Sequence, residues 1–301
     1  MINYLKKKIY NIYINYAYKK IIDSSKIKKF KTNEINEDLK IVYEKLNNNG
    51  IIQYNGIKID DNSINYYLKK IEKKINTKNI FNKYPFFSEK IVFENNTLVE
   101  KVLKDKQVNS LIKCYLGEDA KLDYISLMIT KANTSNKIVS EKWHYDNVGK
   151  RLKMFVYLND SNYISTEYIK ETNNLKHFFY STEGSRVNEN KIKKLKKNKA
   201  TFFAEKGKIL IFDTNGFHRG NFQLIQNQIK NESNQFRILI KFEYSSKLKS
   251  ERFYDKSDII GPRSTFFSED FNVNDCELID KSCLSKVGQI FFYDRRYALN
   301  I

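Results

Sequence analysis

A chain of 301 residues with 41% hydrophobic and 14% aromatic side chains has enough apolar surface to bury a core, which excludes a chain left disordered for want of it. Its 54 Lys and Arg against 35 Asp and Glu give a formal charge of +19, yet only eight of the cations are Arg. Base and phosphate recognition draws on the bidentate Arg fork, so a Lys excess spread over an Asn-, Ile- and Tyr-rich chain argues composition bias, and no specific nucleic-acid partner is expected.

In chain order, residues 1–33 come first. Ile2, Leu5, Ile9, Ile12 and Tyr16 recur at helical spacing beside Lys6, Lys7, Lys8, Lys19 and Lys20. That pattern predicts a basic amphipathic helix, able to make peripheral contact with an anionic membrane or to lay its stripe on the domain. Residues 34–117 read as helical support. Helical spacing covers 34–48 and stops at Asn49-Gly50, the run IIQYNGI is a short strand, and helices follow over 60–75 and 96–116, the last closed by Gly117. Residues 118–246 change to short runs rich in β-branched and aromatic residues: LDYISLMIT, MFVYLND, TFFAEKG, KILIFDT and FRILIKFEY. Such strands without long helices between them predict a sandwich or barrel. The Lys run over 187–200 reads as a solvated loop or short helix. The aromatics of the C-terminal extension, 247–301, predict that it packs onto the barrel. With two Pro and ten Gly there is no linker, so 1–301 reads as a single domain. No run of eighteen apolar residues suits a spanning helix, and Cys114, Cys276 and Cys283 are too scattered for a disulfide framework, so a reducing, cytoplasmic setting is expected.

Two segments carry chemistry. In EKWHYDNVGK, His144 and Asp146 are two apart, and on an extended strand such residues project from one face. In GKILIFDTNGFHRG, an apolar strand runs into a Gly-flanked turn bearing His218. Two His and a carboxylate form the facial triad of non-haem iron(II) oxygenases, which leaves positions open for co-substrate and oxygen; zinc accepts the same donors. A lone HxD fits a structural role equally well, so the order of the whole stretch matters. It runs strand, HxD, strands with a polar insertion, a strand ending at His218, then FRILIKFEY with Arg237.

In that order, over about residues 35–245, the chain resembles the phytanoyl-CoA dioxygenase family of iron(II)/2-oxoglutarate oxygenases, most closely in WHYDNVGKRLKMFVYLND and GKILIFDTNGFHRG. The resemblance implies an α+β fold with a mainly β core: a double-stranded β-helix, or jelly-roll and cupin-like barrel, with the N-terminal helices packed outside. It implies iron(II) held by His144, Asp146 and His218, 2-oxoglutarate as co-substrate with its distal carboxylate on Arg237, and O2 as oxidant. A guanidinium fork suits that carboxylate. Thr166 and Ser126 are further hydroxyl donors to oxoglutarate under the resemblance, and ordinary strand residues without it. Thr166 and Glu167, in TEYIKETNN, fall where the family often reads GPxxxxPGSH, and those Gly-Pro and Pro-Gly elements are missing here. Arg219 either orients substrate or closes a salt bridge at the rim. Trp143 reads as core, Tyr145 as pointing away from the metal, and His177 as structural.

The expected reaction is hydroxylation of a C–H bond in a small metabolite, or in a glycan or nucleotide conjugate, and the positive balance suits an anionic substrate. Asp146 favours hydroxylation over halogenation, since the related halogenases leave that position to chloride. The alternative is a non-catalytic barrel serving as a basic binding module for a membrane surface or nucleic acid.

Overall fold

The computed structural model describes residues 35–75, 86–89, 92–132, 141–146, 149–173, 186–187, 189–222, 235–249, 264–279, 281 and 290–292. The basic helix expected over 1–33, His177 and Cys283 lie outside these residues.

Four strands build the scaffold: β4 (Lys121–Lys131), β5 (Gly149–Tyr157), β8 (Ile209–Asp213) and β10 (Phe236–Lys249). They pair antiparallel in the order β8-β5-β10-β4, with β1 (Ile51–Tyr54) added beyond β8 and β2 (Phe86–Glu89) beyond β4. Because successive side chains point to opposite faces, each strand serves two environments. Ile125, Leu127 and Ile129, Leu152, Met154 and Val156, Ile209 and Ile211, and Ile238, Ile240 and Phe242 all join one apolar core with the helices. The alternate residues, among them Phe155, Tyr157, Leu210, Phe212 and Leu239, form a second cluster against Tyr168 and Ala204 of a smaller sheet.

That smaller sheet is β7 (Lys199–Ala204), β6 (Ser161–Ile169) and β9 (His218–Asn221), in the order β7-β6-β9. His144 extends it by bridging His218, and Arg186 bridges His144 in turn. The chain therefore visits the large sheet at β4, the small one at His144, the large at β5, the small at β6 and β7, the large at β8, the small at β9 and the large at β10. This winding of antiparallel strands between two facing sheets is a double-stranded β-helix, a jelly roll with a mainly β core and helices on one outer face.

The helices are α1 (Glu37–Asn49), α2 (Asp61–Ile75), α3 (Leu98–Lys104), α4 (Lys106–Leu116) and a single turn, α5 (Glu189–Ile192). In α1, the Leu39 amide donates to the Asn36 side chain at 2.8 Å, and Gly50, at φ 75°, sends its amide back to Leu46 O. A left-handed cap of this kind favours Gly. The helix expected over 96–116 is broken in two at Asp105, whose backbone is extended and whose carboxylate accepts from the Val108 amide at 2.8 Å. A short acidic side chain competes with the helix interior and gains more as an N-cap. The Lys run over 187–200 contributes α5, a 3-10 turn and the first residues of β7 instead of an open loop, with Lys196 paired to Glu189 and Lys199 to Glu167.

The C-terminal extension contributes β11 (Ser264–Phe267), which runs parallel to β3 (Val92–Phe93) and antiparallel to β12 (Ile290–Phe292). Phe267, Phe271, Leu278 and Ile279 are buried in the helix-side core, and the Thr265 hydroxyl accepts from the Ile125 amide at 2.8 Å. No described helix is long and apolar enough to cross a membrane.

Candidate metal centre

His144, Asp146 and His218 converge on the interior at one end of the barrel, with one ligand atom from each lying within 4.8 Å of the others. Strand pairing sets this up. His144 and His218 exchange both backbone hydrogen bonds, at 3.0 and 2.8 Å, so their side chains share a face and their rings lie 4.3 Å apart. Trp143 and Tyr145 necessarily take the other face, where they pack with Ile169, Val187 and Phe217. The Asp146 amide donates to Thr214 O at 2.8 Å, which ties the carboxylate to the turn before His218. In that turn Gly216 has no room for a side chain, since a Cβ there would strike the Tyr168 hydroxyl, itself bonded to Asp213 O at 3.0 Å.

The protonation pattern suits a metal. Nδ1 of His144 lies 2.8 Å from Lys142 O and Nδ1 of His218 lies 2.9 Å from Gly216 O. A carbonyl only accepts, so each Nδ1 carries the proton and each Nε2 turns its lone pair inward. Both Nε2 atoms face the same carboxylate oxygen, Asp146 Oδ1, at 3.9 and 3.8 Å. His218 Nε2 is buried without a hydrogen-bond partner among the described residues, an orphan acceptor that a cation would satisfy.

Burial, the neighbouring His218 and Arg186 hold the His144 imidazole well below its ordinary value, and burial with Lys153 and Arg186 brings His218 down to about 4. Burial alone would raise the Asp146 carboxyl, but Lys153, both imidazoles and Arg151 outweigh it and hold it well below the carboxylate range. Neutral imidazoles and an ionised carboxylate are the forms that bind metals.

Arg237 projects into the same interior. It is buried, and its Nη1 and Nη2 donate to the hydroxyls of Thr166 at 3.2 Å and Thr130 at 3.4 Å. Its Nε has no partner, its guanidinium lies over Phe222 at 5.4 Å, and no carboxylate meets it among the described residues. Burial lowers its pKa, although a guanidinium keeps its proton in proteins. A cation left without a counter-charge in such a place is costly unless an anion arrives. Thr166 pairs with Gly220 and Tyr168 with His218, so the Arg237 anchor stands two residues, about 7 Å, along the small sheet from the His218 register. A short dicarboxylate spans that distance.

Thr166, read from sequence as a hydroxyl donor to oxoglutarate or an ordinary strand residue, sits within β6 and links Arg237 to Tyr157, whose hydroxyl lies 3.5 Å from its own. Ser126 stands elsewhere. It faces the interior in register with Lys241, four residues and about 13 Å along β4 from Thr130, and its buried hydroxyl has no partner among the described residues. Arg219 donates to Glu167 at 2.6 Å and stacks over Trp143 at 4.7 Å, which closes the salt bridge at the rim.

Sequence reasoning did not single out Thr130, Tyr157, Lys153 or Arg186. Arg186 bridges His144 and so shares its face; Lys153 forms an ion pair with Asp146. The alternation in RLKMFVY, with Leu152, Met154 and Val156 on one face, was the available signal that Arg151 and Lys153 point inward.

No family model matches the chain, and neither does any curated protein. Solved structures do. The chain is similar to the non-haem α-ketoglutarate-dependent epimerase SnoN from nogalamycin biosynthesis, at 12% identity and a TM-score of 0.46, over 69% of this chain and 83% of that one. It is similar to EctD from S. alaskensis, solved with 2-oxoglutarate and 5-hydroxyectoine, at 14% identity and a TM-score of 0.49, over 73% and 80%. HygX from Streptomyces hygroscopicus, with nickel and 2-oxoglutarate bound, gives 11% and 0.45, over 71% and 88%. The assignment of residues in this chain stands on the side-chain geometry above.

Proposed function

We propose that this protein is an iron(II)- and 2-oxoglutarate-dependent dioxygenase that hydroxylates a C–H bond of a small substrate. The observation that carries the reading is that one barrel interior holds both a His–Asp–His cluster with two inward Nε2 atoms and a buried arginine that meets no carboxylate among the described residues. Neither is favourable in an apolar barrel for its own sake, and together they fit a metal and a keto diacid.

In this reading His144, Asp146 and His218 hold iron(II), while Arg237, with Thr166 and Thr130 fixing its fork, holds the distal carboxylate of 2-oxoglutarate. Tyr157 orients Thr166. Bound iron(II) with 2-oxoglutarate and O2 supplies the oxidative chemistry: the keto acid becomes succinate and carbon dioxide, one oxygen atom goes to succinate, and the other enters the substrate C–H bond as hydroxyl. The chain's own share is to orient these groups and exclude water, which Phe212 and Tyr168 beside the His218 ring do together with Phe155 and Leu239 of the same apolar cluster.

The finer placement, in the phytanoyl-CoA dioxygenase family, rests on WHYDNVGKRLKMFVYLND and GKILIFDTNGFHRG. An anionic metabolite as substrate rests on the chain's positive balance, and a reducing cytoplasmic setting on its free Cys114 and Cys276.

Calorimetric titration of 2-oxoglutarate into nickel-loaded protein tests the reading without turnover. The wild type should bind it, and Arg237→Ala should keep nickel while losing most of the affinity for the diacid. Equal affinity in the variant, or none in the wild type, would sink the assignment.

A further inference from the structure

The oxygen of Asp146 that does not face the histidines is engaged by a residue with no assigned role. Oδ1 is the atom 3.9 and 3.8 Å from the two Nε2 atoms, and Oδ2 forms an ion pair with Lys153 Nζ. Lys153 is set into the middle of the large sheet on β5, in register with Glu243 on β10 and Phe212 on β8, so its stem has little freedom. Its neighbouring acid does not draw it away, because Glu243 already holds Arg151 at 2.6 Å and Lys241 at 2.7 Å. Among the described residues, the other groups around the carboxylate are the two neutral imidazoles, the Arg151 cation and, against the histidines, Arg186.

We propose that Lys153 is a positioning residue that makes Asp146 a one-oxygen ligand, holding Oδ2 so that only Oδ1 is presented to the metal. The inference rests on the oxygenase reading above and adds a constraint to it. A carboxylate free to rotate can chelate with both oxygens and take an extra coordination position. An octahedral ion held by two imidazoles and one oxygen keeps three positions, which the keto acid (two) and dioxygen (one) require. Lys153 therefore protects the open third position, in the way that outer partners commonly orient metal-binding carboxylates. An ammonium suits this task because it gives a carboxylate oxygen a charge-assisted bond while supplying no ligand atom once protonated.

The test uses cobalt(II), whose visible absorption responds to coordination number, on the full chain with Lys153→Met, Lys153→Gln and Lys153→Arg. Melting of the metal-free proteins reports folding separately, and the Gln variant carries the test if Met misfolds. The expected result is cobalt affinity about 10- to 100-fold weaker in Met and Gln, a cobalt spectrum changed from that of the wild type, and a blunted spectral response to 2-oxoglutarate. Arg should restore both affinity and response. If the wild type binds cobalt and responds to 2-oxoglutarate while Met and Gln match it, the positioning role is wrong and the oxygenase reading stands. Failure of the wild type to bind cobalt would overturn both.

Discussion

The two faces of the large sheet are made by the same strands and behave as two different materials. On β10 the helix-side residues are Ile238, Ile240, Phe242 and Tyr244, all in the apolar core. The barrel-side residues of the same strand are Arg237, Leu239, Lys241, Glu243 and Ser245, four of them polar or charged. Stability is concentrated on the first face and chemistry on the second, and a shift of one residue exchanges them. The comparison teaches where substitutions should hurt folding and where they should hurt ligand binding.

The largest effect on folding is expected from Ile240→Ala, which opens a cavity on the helix side: about 2–5 kcal/mol lost in denaturant unfolding, with metal affinity retained by the folded fraction. A variant that loses metal binding while fully folded would blur the division between faces. Next comes Arg237→Met, which removes a buried cation that meets no counter-ion among the described residues. The apo-protein should be as stable as the wild type or more so, because the desolvation cost goes with the charge; a clear fall in melting temperature would mean the arginine is structural. Metal itself should raise stability by about 2.7 kcal/mol at a free concentration near 100 times its Kd, a gain that a chelator reverses and that Asp146→Ala never shows.

The smallest effect belongs to the rim. Burial would raise the Glu167 carboxyl, but Lys199 and Arg219 hold it below its ordinary 4.5. A depressed folded-state value contributes stability that is present above the unfolded value and lost as pH falls through the folded one. Glu167→Gln should therefore be less stable than the wild type at neutral pH, on the order of 1 kcal/mol, and the gap should close as pH falls from the ordinary value through the lower folded-state one. A gap independent of pH would place the effect in packing.

The readable parts of the sequence were those in which burial writes a pattern. FRILIKFEY alternates because its strand lies between the helix-side core and the barrel interior, KILIFDT reads as an unbroken apolar run because both its faces are buried, and His144 with Asp146 showed itself through two-residue spacing. β6 left no such trace. Its Ser165, Thr166 and Glu167 are buried yet polar, serving the arginine and the rim, so apolar alternation does not mark the strand. The break at Asp105 was hidden because Val102, Leu103 and Val108 keep the helical spacing across it. Thr130 and Lys153 came to light only through pairing: one stands across from Arg237 and the other reaches Asp146, and neither relation exists along the chain.

The central claim is that metal and keto acid meet in this barrel. Anaerobic addition of 2-oxoglutarate to the iron(II)-loaded protein measures that meeting directly, through the weak visible charge-transfer band of a keto acid chelated to iron(II). The account predicts the band in the wild type and its loss in His218→Ala and Asp146→Ala. A wild type without the band, or a His218→Ala protein that keeps it unchanged, would contradict the account.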